Sequence, residues 1–226
     1  MKSFLSLPAE IYQNRRMIYK LAKNDFKTKF AGSYLGIVWA FIQPVVTVMV
    51  YWFVFEVGFR AGNDSLPVPF VLYLVAGIVP WFFFQEALNG GTNALIEYNY
   101  LVKKVVFNIS VLPVVKMISA LFVHAVFVCF TVFLYGMYGH FPDLYYLQIF
   151  YYSGGLLLLT LGLCYATSAV VIFFRDLSQV INIALQVGVW LTPIMWIADD
   201  MLASHGWLLK ILKLNPIYYI VTGYRD

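Results

Sequence analysis

Five apolar runs, each of roughly 20 residues, constrain this chain more than any other feature of its sequence. They lie near Leu35–Val57, Val68–Leu88, Val111–Tyr135, Leu147–Phe174 and Leu177–Ile197. Runs of this length are typical of helices that cross the hydrocarbon core of a bilayer. The composition agrees, because 62% of the residues are hydrophobic and only 12% are charged, which is too few charges for an ordinary soluble domain. We therefore predict an all-α, polytopic integral membrane protein.

The distribution of Lys and Arg predicts the orientation of these spans. If the N-terminus is in the cytoplasm, eleven Lys and Arg residues fall on or near the inner side and four fall on the outer side. Cytoplasmic segments of membrane proteins carry an excess of Lys and Arg, and the opposite orientation would reverse that excess. We therefore predict a multi-pass protein whose N-terminus lies inside.

Residues 1–32 precede the first span and are predicted to form a basic amphipathic helix. Apolar residues recur along one helical stripe that includes Leu7, Ile18 and Phe30, and the basic residues lie mostly on other faces. A basic amphipathic helix beside a span is typical of the membrane interface, although a solvated helix held near lipid by charge would show the same pattern. The predicted anchor residues are Arg15, Arg16, Lys20, Lys23 and Lys27.

The whole chain, residues 1–226, is predicted to be one transmembrane domain. Residues 33–197 hold the five spans, and residues 198–226 form a tail of moderate hydrophobicity. Gly206 and the Asn215–Pro216 pair interrupt the tail, and such residues mark turns. We therefore predict short helices that dip partway into the membrane from the outer side.

The sequence lacks the motifs that ATP binding or covalent chemistry would need. It contains no G-x-x-x-x-G-K-[ST] phosphate loop and no H-E-x-x-H zinc motif. The three histidines are scattered, and no Asp-rich cluster is present to hold Mg²⁺ on a pyrophosphate. We therefore predict no catalytic residue, metal or cofactor in this chain, although these absences do not by themselves exclude an enzyme.

Aromatic residues make up 19% of the chain, and some of them are candidates for a transport path. Aromatic faces stack on sugar rings and let them slide, whereas interface belts and packing would produce the same composition. The candidate path residues are Trp39, Tyr51, Trp52, Phe53, Trp190 and Trp196.

Two further features mark the first span. Gly32 and Gly36 form a G-x-x-x-G pattern, which lets two helices approach closely, although a tight turn before the span explains Gly32 equally well. Pro44 lies inside the run and is expected to bend the helix or free a backbone carbonyl.

The order of several motifs resembles that of the membrane subunits of type-2 ABC exporters. These motifs are NDFKTKFAGSYLGIVWAFIQP, NYLVKKVVFNISVLP, FFRDL, LTPIMW and NPIYYIVTGYRD, and the resemblance covers essentially the whole chain. The chain is similar to the branch that exports polysaccharides such as O-antigen, and teichoic acids. This resemblance implies a homodimeric permease in a bacterial cytoplasmic membrane, paired with two copies of a separate ABC ATPase that binds ATP and Mg²⁺. It also implies an undecaprenyl-type lipid-linked glycan as the substrate.

The resemblance further implies where the ATPase makes contact. The segment Gly90–Pro113, which we predict to be a cytoplasmic loop, would hold a coupling helix, and the turn Phe173–Gln179 would form a second contact. The segment Ile194–Arg225 resembles the outer half-helices of the family. Members of the family have six spans, so a last span would follow this segment. The implied ATPase-contact residues are Glu97, Asn99, Tyr100, Lys103, Lys104, Arg175 and Asp176.

Three alternatives to polysaccharide export stay open on the sequence. One is an integral membrane enzyme acting on a polyprenyl-linked glycan, for which Asp199–Asp200 is the acidic pair that the chain offers. A second is an exporter of the same family for a drug or small lipid, which should tolerate a narrower and less aromatic path. The third is a structural membrane scaffold without an ATPase partner.

Overall fold

The computed structural model describes residues 7–59, 66, 68–99, 109–140, 143–202 and 206–225. All of its regular structure within these residues is helical, which confirms the all-α class. In chain order the helices are α1 (Leu7–Gln13), α2 (Arg15–Lys29), α3 (Trp39–Trp52), α4 (Phe70–Glu97), α5 (Leu112–Met137), α6 (Gln148–Val171), α7 (Leu177–Leu191), α8 (Ala198–Met201), α9 (Gly206–Leu212) and α10 (Pro216–Gly223).

Four helical segments are long and apolar enough to cross a membrane. They are Gly36–Gly58, Phe70–Glu97, Ile109–Met137 and Leu144–Val171, and they contain α3, α4, α5 and α6. Several residues at the segment ends adopt the tighter 3₁₀ or the wider π form, as at Gly36–Val38 and Phe53–Gly58. A multi-pass membrane protein follows from these four segments.

The fifth predicted span is shorter than expected. Helix α7 has 15 residues, which is about 22 Å at 1.5 Å per residue, whereas the hydrocarbon core is about 30 Å thick. The prediction that it continues to Ile197 was wrong, because Thr192 is extended, with ψ 133°. A residue that precedes a proline, here Pro193, disfavours the helical conformation. A fifth complete crossing therefore stays a prediction.

Helix α4 lies at the centre of the bundle and packs mainly against α5 and α6. In the most apolar 18-residue stretch of α4, 72% of the residues are buried, whereas in the corresponding stretch of the first span only 6% are buried. Helices that are apolar on all sides are typical of such central positions. Gly91 lets α6 approach α4 closely, because a Cβ atom at position 91 would lie only 2.2 Å from the Cys164 sulfur. The bundle is thus built around α4, and α3 lies at its edge.

The end of α4 corrects one boundary from the sequence. Residues 90–97 were predicted to be the start of a loop, but α4 continues to Glu97. Gly91 and Thr92 are buried there, and the Thr92 hydroxyl donates to the Leu88 carbonyl at 2.7 Å. Asparagine and glycine are loop residues by propensity, and close helix packing overrides that preference here.

Helix α2 packs one face onto the start of α5. Ile18 and Ala22 are fully buried against Val111, Val114 and Val115, so protein rather than lipid covers this part of the apolar stripe. The opposite face is open, and the interfacial position of the helix stays a prediction. All five predicted anchor residues are exposed: Arg15, Arg16, Lys20, Lys23 and Lys27.

The two glycines before the first span form a turn rather than a helix–helix contact. Gly32 and Gly36 have positive φ values of 86° and 53°, a region that L-residues with a Cβ rarely adopt. Among the described residues, no atom outside the immediate chain neighbours lies within 4 Å of the Cβ position of either. The G-x-x-x-G pattern therefore serves the turn that joins α2 to α3.

Candidate functional site

A cavity of about 510 Å³ lies between α3, α4, α5 and α7. Its wall mixes aromatic rings with hydrogen-bonding side chains, a combination that suits sugar rings and their hydroxyl groups. The aromatic part includes Trp39, Tyr51, Trp81, Phe82 and Trp190, and the polar part includes Gln43, Thr47, Gln85, Asn89, Ser119, His124 and Gln186.

The structure brings three of the six candidate path residues together at this cavity. Trp39, Tyr51 and Trp190 line it, and the ring centroids of Tyr51 and Trp190 are 6.2 Å apart. Because α3 and α7 contribute one ring each, the two helices meet through this aromatic pair.

The other three candidate path residues lie elsewhere. Trp52 and Phe53 are exposed on the first span and do not line the cavity. Trp196 packs against the core, and its indole N–H donates to the Trp190 carbonyl at 3.0 Å. It therefore supports the chain beside Trp190. A role for any of these aromatic residues in transport stays a prediction.

Sequence reasoning missed the polar half of the cavity wall. Gln43, Gln85 and Gln186 lie within apolar runs on three different helices, and all three line the cavity. Polar side chains within spans almost always face the bundle interior or a water-filled cavity. Amide residues inside the predicted spans were thus the signal that could have located this site.

His124 lies in the cavity wall, near the middle of the apolar segment Ile109–Met137. It is 5% exposed, and its Nε2 is 3.1 Å from the Tyr224 hydroxyl, which also hydrogen-bonds to Ser153. Its Nδ1 makes no hydrogen bond to a described residue. The histidine therefore ties α5 to the segment after α10 and leaves one ring nitrogen available.

Charged residues gather at the end of α4, beside the cavity. Lys29 and Glu86 form an ion pair at the cavity margin. A second group, the α4-end cluster, comprises Asp25, Glu97, Tyr98 and Lys116. Lys116 Nζ lies 2.6 Å from Asp25 Oδ1 and also pairs with Glu97, while the Tyr98 hydroxyl donates to Asp25 at 2.7 Å. A smaller cavity of about 370 Å³ separates the two groups.

Four of the seven predicted ATPase contacts belong to the described residues, and these four lie at the same end of the bundle. Glu97 and Asn99 lie at the end of α4, and Asn99 is exposed. Arg175 and Asp176 are exposed in the turn between α6 and α7. The remaining three, Tyr100, Lys103 and Lys104, lie outside the described residues.

Hydrogen bonds connect α4 to the helices on both sides of that turn. The Thr92 and Thr167 hydroxyls are 2.8 Å apart, and the Ser178 hydroxyl donates to the Asn93 side chain at 2.6 Å. The end of α4 is therefore fastened to α6 and to α7. A displacement applied at either segment would reach the other through these bonds.

Comparison with known proteins identifies the family. A model of the ABC-2 type transporter family matches residues 17–226. The chain is 27% identical over 225 residues to the O-antigen export system permease protein RfbA of Myxococcus xanthus, covering 98% of this chain and 83% of the relative. It is 26% identical over 212 residues to the protein of the same name from Klebsiella pneumoniae, covering 93% of this chain and 79% of that relative. The chain belongs to the ABC-2 type transporter family.

Proposed function

We propose that this chain is the permease subunit of an ATP-driven exporter that moves a lipid-linked polysaccharide across the cytoplasmic membrane. The observation that carries the proposal is the cavity, which places Trp39, Tyr51 and Trp190 opposite amide side chains such as Gln43 and Gln186. Aromatic rings offer stacking surfaces, and amides both donate and accept hydrogen bonds. The relatives named as O-antigen export permeases support the same substrate class, and a teichoic acid would offer similar chemistry.

The partners follow from the same reasoning. An ABC ATPase in two copies would bind ATP and Mg²⁺ and would contact the exposed segments around Asn99 and Arg175–Asp176 on the cytoplasmic side. A second copy of this chain would cover the first span. Within one chain, only 6% of the most apolar stretch of this span is buried. The N-terminus would lie inside, so that the basic face of α2 meets the inner surface of the membrane.

The test is purification of the protein from its native membrane in mild detergent, followed by mass spectrometry of whatever co-purifies. We expect a stoichiometric ABC ATPase and a retained glycolipid. A homo-oligomer that carries no ATPase even after cross-linking would contradict the proposal and favour a membrane enzyme acting on a polyprenyl-linked glycan.

Replacement of Trp190 by Ala should lower export. The side chain is 55% exposed and lines the cavity, so its removal deletes a stacking surface together with its ring contact to Tyr51. An aromatic contact contributes about 0.5–1.5 kcal/mol, which corresponds to a roughly two- to tenfold loss. Surface polysaccharide would be measured in cells at matched expression.

Trp207→Ala is the matched control for this prediction. Trp207 is 62% exposed on α9 and does not line the cavity, so export by this variant should equal that of the wild type. Equal loss of surface polysaccharide in both variants would contradict a specific role for the cavity.

A further inference from the structure

Lys116 lies largely buried, but not fully, at the junction of three helices. It belongs to α5, and it forms ion pairs with Asp25 of α2 and Glu97 of α4. The side chains of Lys116 and Asp25 are only 13% and 12% exposed. The Tyr98 ring covers the ammonium group at 5.2 Å and donates its hydroxyl to Asp25. One lysine therefore holds the N-terminal helix, the end of α4 and the start of α5 in a single arrangement.

Stability alone does not require such an arrangement. Well-packed apolar side chains of similar volume stabilise a buried site as well as an ion pair does, because the charges lose their hydration. Apolar packing already joins α2 to α5 through Ile18 and Ala22. Buried charged pairs differ from apolar packing in that they are directional, so they fix one geometry. The α4-end cluster is thus suited to keep α2 and α4 in register when one of them moves.

The position of α2 matters for the larger cavity. Asp25 and Lys29 are four residues apart and lie one turn apart along α2. Lys29 forms the ion pair with Glu86 at the cavity margin. Any movement of α2 that Lys116 transmits through Asp25 therefore also moves Lys29 relative to Glu86. Two ion-paired groups, joined by one turn of α2, therefore lead from the exposed end of α4 to the margin of the cavity.

We propose that Lys116 is a positioning residue that couples the ATPase-contact end of α4 to α2, and through Lys29 to the opening of the cavity. This inference rests on the proposed function, since it assumes an ATPase that displaces the end of α4. Without the link, the ATPase would still bind and hydrolyse ATP and α4 would still move, but α2 would not follow, so Lys29 would not move in step with the end of α4.

The test compares ATP hydrolysis with glycan export by the purified complex of this chain and its ATPase in lipid vesicles. For Lys116→Met we expect ATP hydrolysis within about twofold of wild type and export per ATP hydrolysed lowered about tenfold. Lys116→Arg keeps the charge and should retain most of the coupling. Lys210→Met is the matched control, because Lys210 is exposed on α9 and forms no ion pair with a described residue; its ratio should equal that of wild type.

A second variant separates coupling from folding. In Lys116→Met the largely buried Asp25 carboxylate loses its cation, and this loss alone could impair assembly. In the double variant Asp25→Asn, Lys116→Met, the only charge left in the cluster is that of Glu97, whose side chain is half exposed. This double variant should assemble and still be uncoupled. Unchanged export per ATP would overturn the inference, and so would failure to assemble, because the cluster would then serve folding. If wild-type complex contains no ATPase or exports no glycan, the proposed function itself fails.

Discussion

Replacement of Gly91 by Ala should destabilise the bundle strongly, because the new methyl group has no room. Its carbon would lie 2.2 Å from the Cys164 sulfur and 2.7 Å from the Cys164 Cβ, and both residues are fully buried. Relief requires α4 and α6 to separate along their contact. Overpacking of a core costs about 1–3 kcal/mol, which corresponds to a fall in Tm of roughly 2–4 °C per kcal/mol for a chain of this size. Thermal unfolding in detergent would measure it.

Two companion variants make this result specific. Gly162→Ala on α6 adds the same methyl group where no atom of another described segment lies within 4 Å of the Cβ position, so its Tm should equal or exceed that of the wild type. In the double variant Gly91→Ala, Cys164→Gly, removal of the Cys164 side chain makes room for the new methyl group. This variant should recover part of the stability lost in Gly91→Ala, less the cost of about 1 kcal/mol for a glycine inside a helix. An unchanged Tm for Gly91→Ala alone would show that the two helices are not in close contact.

Replacement of Arg225 by Met should have the second large effect on stability. The guanidinium donates hydrogen bonds to three backbone carbonyls, those of Tyr73 at 3.2 Å, Pro193 at 2.8 Å and Ile194 at 2.7 Å. It also lies 3.4 Å from the centroid of the Tyr73 ring. Hydrogen bonds to charged groups contribute about 1.5–3 kcal/mol each. Their joint loss should lower the free energy of unfolding by at least about 3 kcal/mol, measured by denaturant or thermal unfolding in detergent.

The reason for this effect is the break after α7. Pro193 and Ile194 are buried where the helix has ended, and a buried backbone carbonyl without a hydrogen-bond partner costs free energy. Lysine cannot supply the same planar set of donors, so Arg225→Lys should recover only part of the loss. Arg16→Met, at an exposed position of α2, should leave Tm unchanged. A Tm for Arg225→Met equal to that control would rule out this role.

The sequence predicted the fold class well because a membrane span has a length set by the bilayer. Runs of apolar residues located the helices that contain Trp39, Phe70, Leu112 and Gln148. The ends were harder to predict. The prediction for helix α7 was too long, because the apolar run continues past Pro193 to Ile197. The proline itself marked where the helix could end. Hydropathy measures the environment of a segment, and it does not report where backbone hydrogen bonding stops.

The candidate site was only partly predictable for a different reason. Trp39, Tyr51 and Trp190 were chosen as aromatic residues in apolar runs, and so were Trp52 and Phe53, which lie outside the cavity. The phase was present in the sequence but was not used: Gln43, Thr47 and Tyr51 recur every four residues on one stripe of α3 that faces the cavity, and Trp52 and Phe53 lie off that stripe. By contrast, nothing in a single sequence pairs Lys116 with Asp25, which lies 91 positions earlier in the chain. Such contacts depend on how the helices pack.

The central place of α4 has a consequence for biosynthesis. Helices of membrane proteins insert first and associate afterwards, and α4 leaves the ribosome before α5 and α6, the two helices that cover it. About 75 residues separate its end from the end of α6, so at ordinary synthesis rates α4 waits roughly 4–15 s. During that interval its glycines and the Thr92 side chain face lipid or the insertion machinery. Variants that slow or weaken the docking of α5 and α6 should therefore expose α4 to membrane proteases before the finished protein shows any loss of stability.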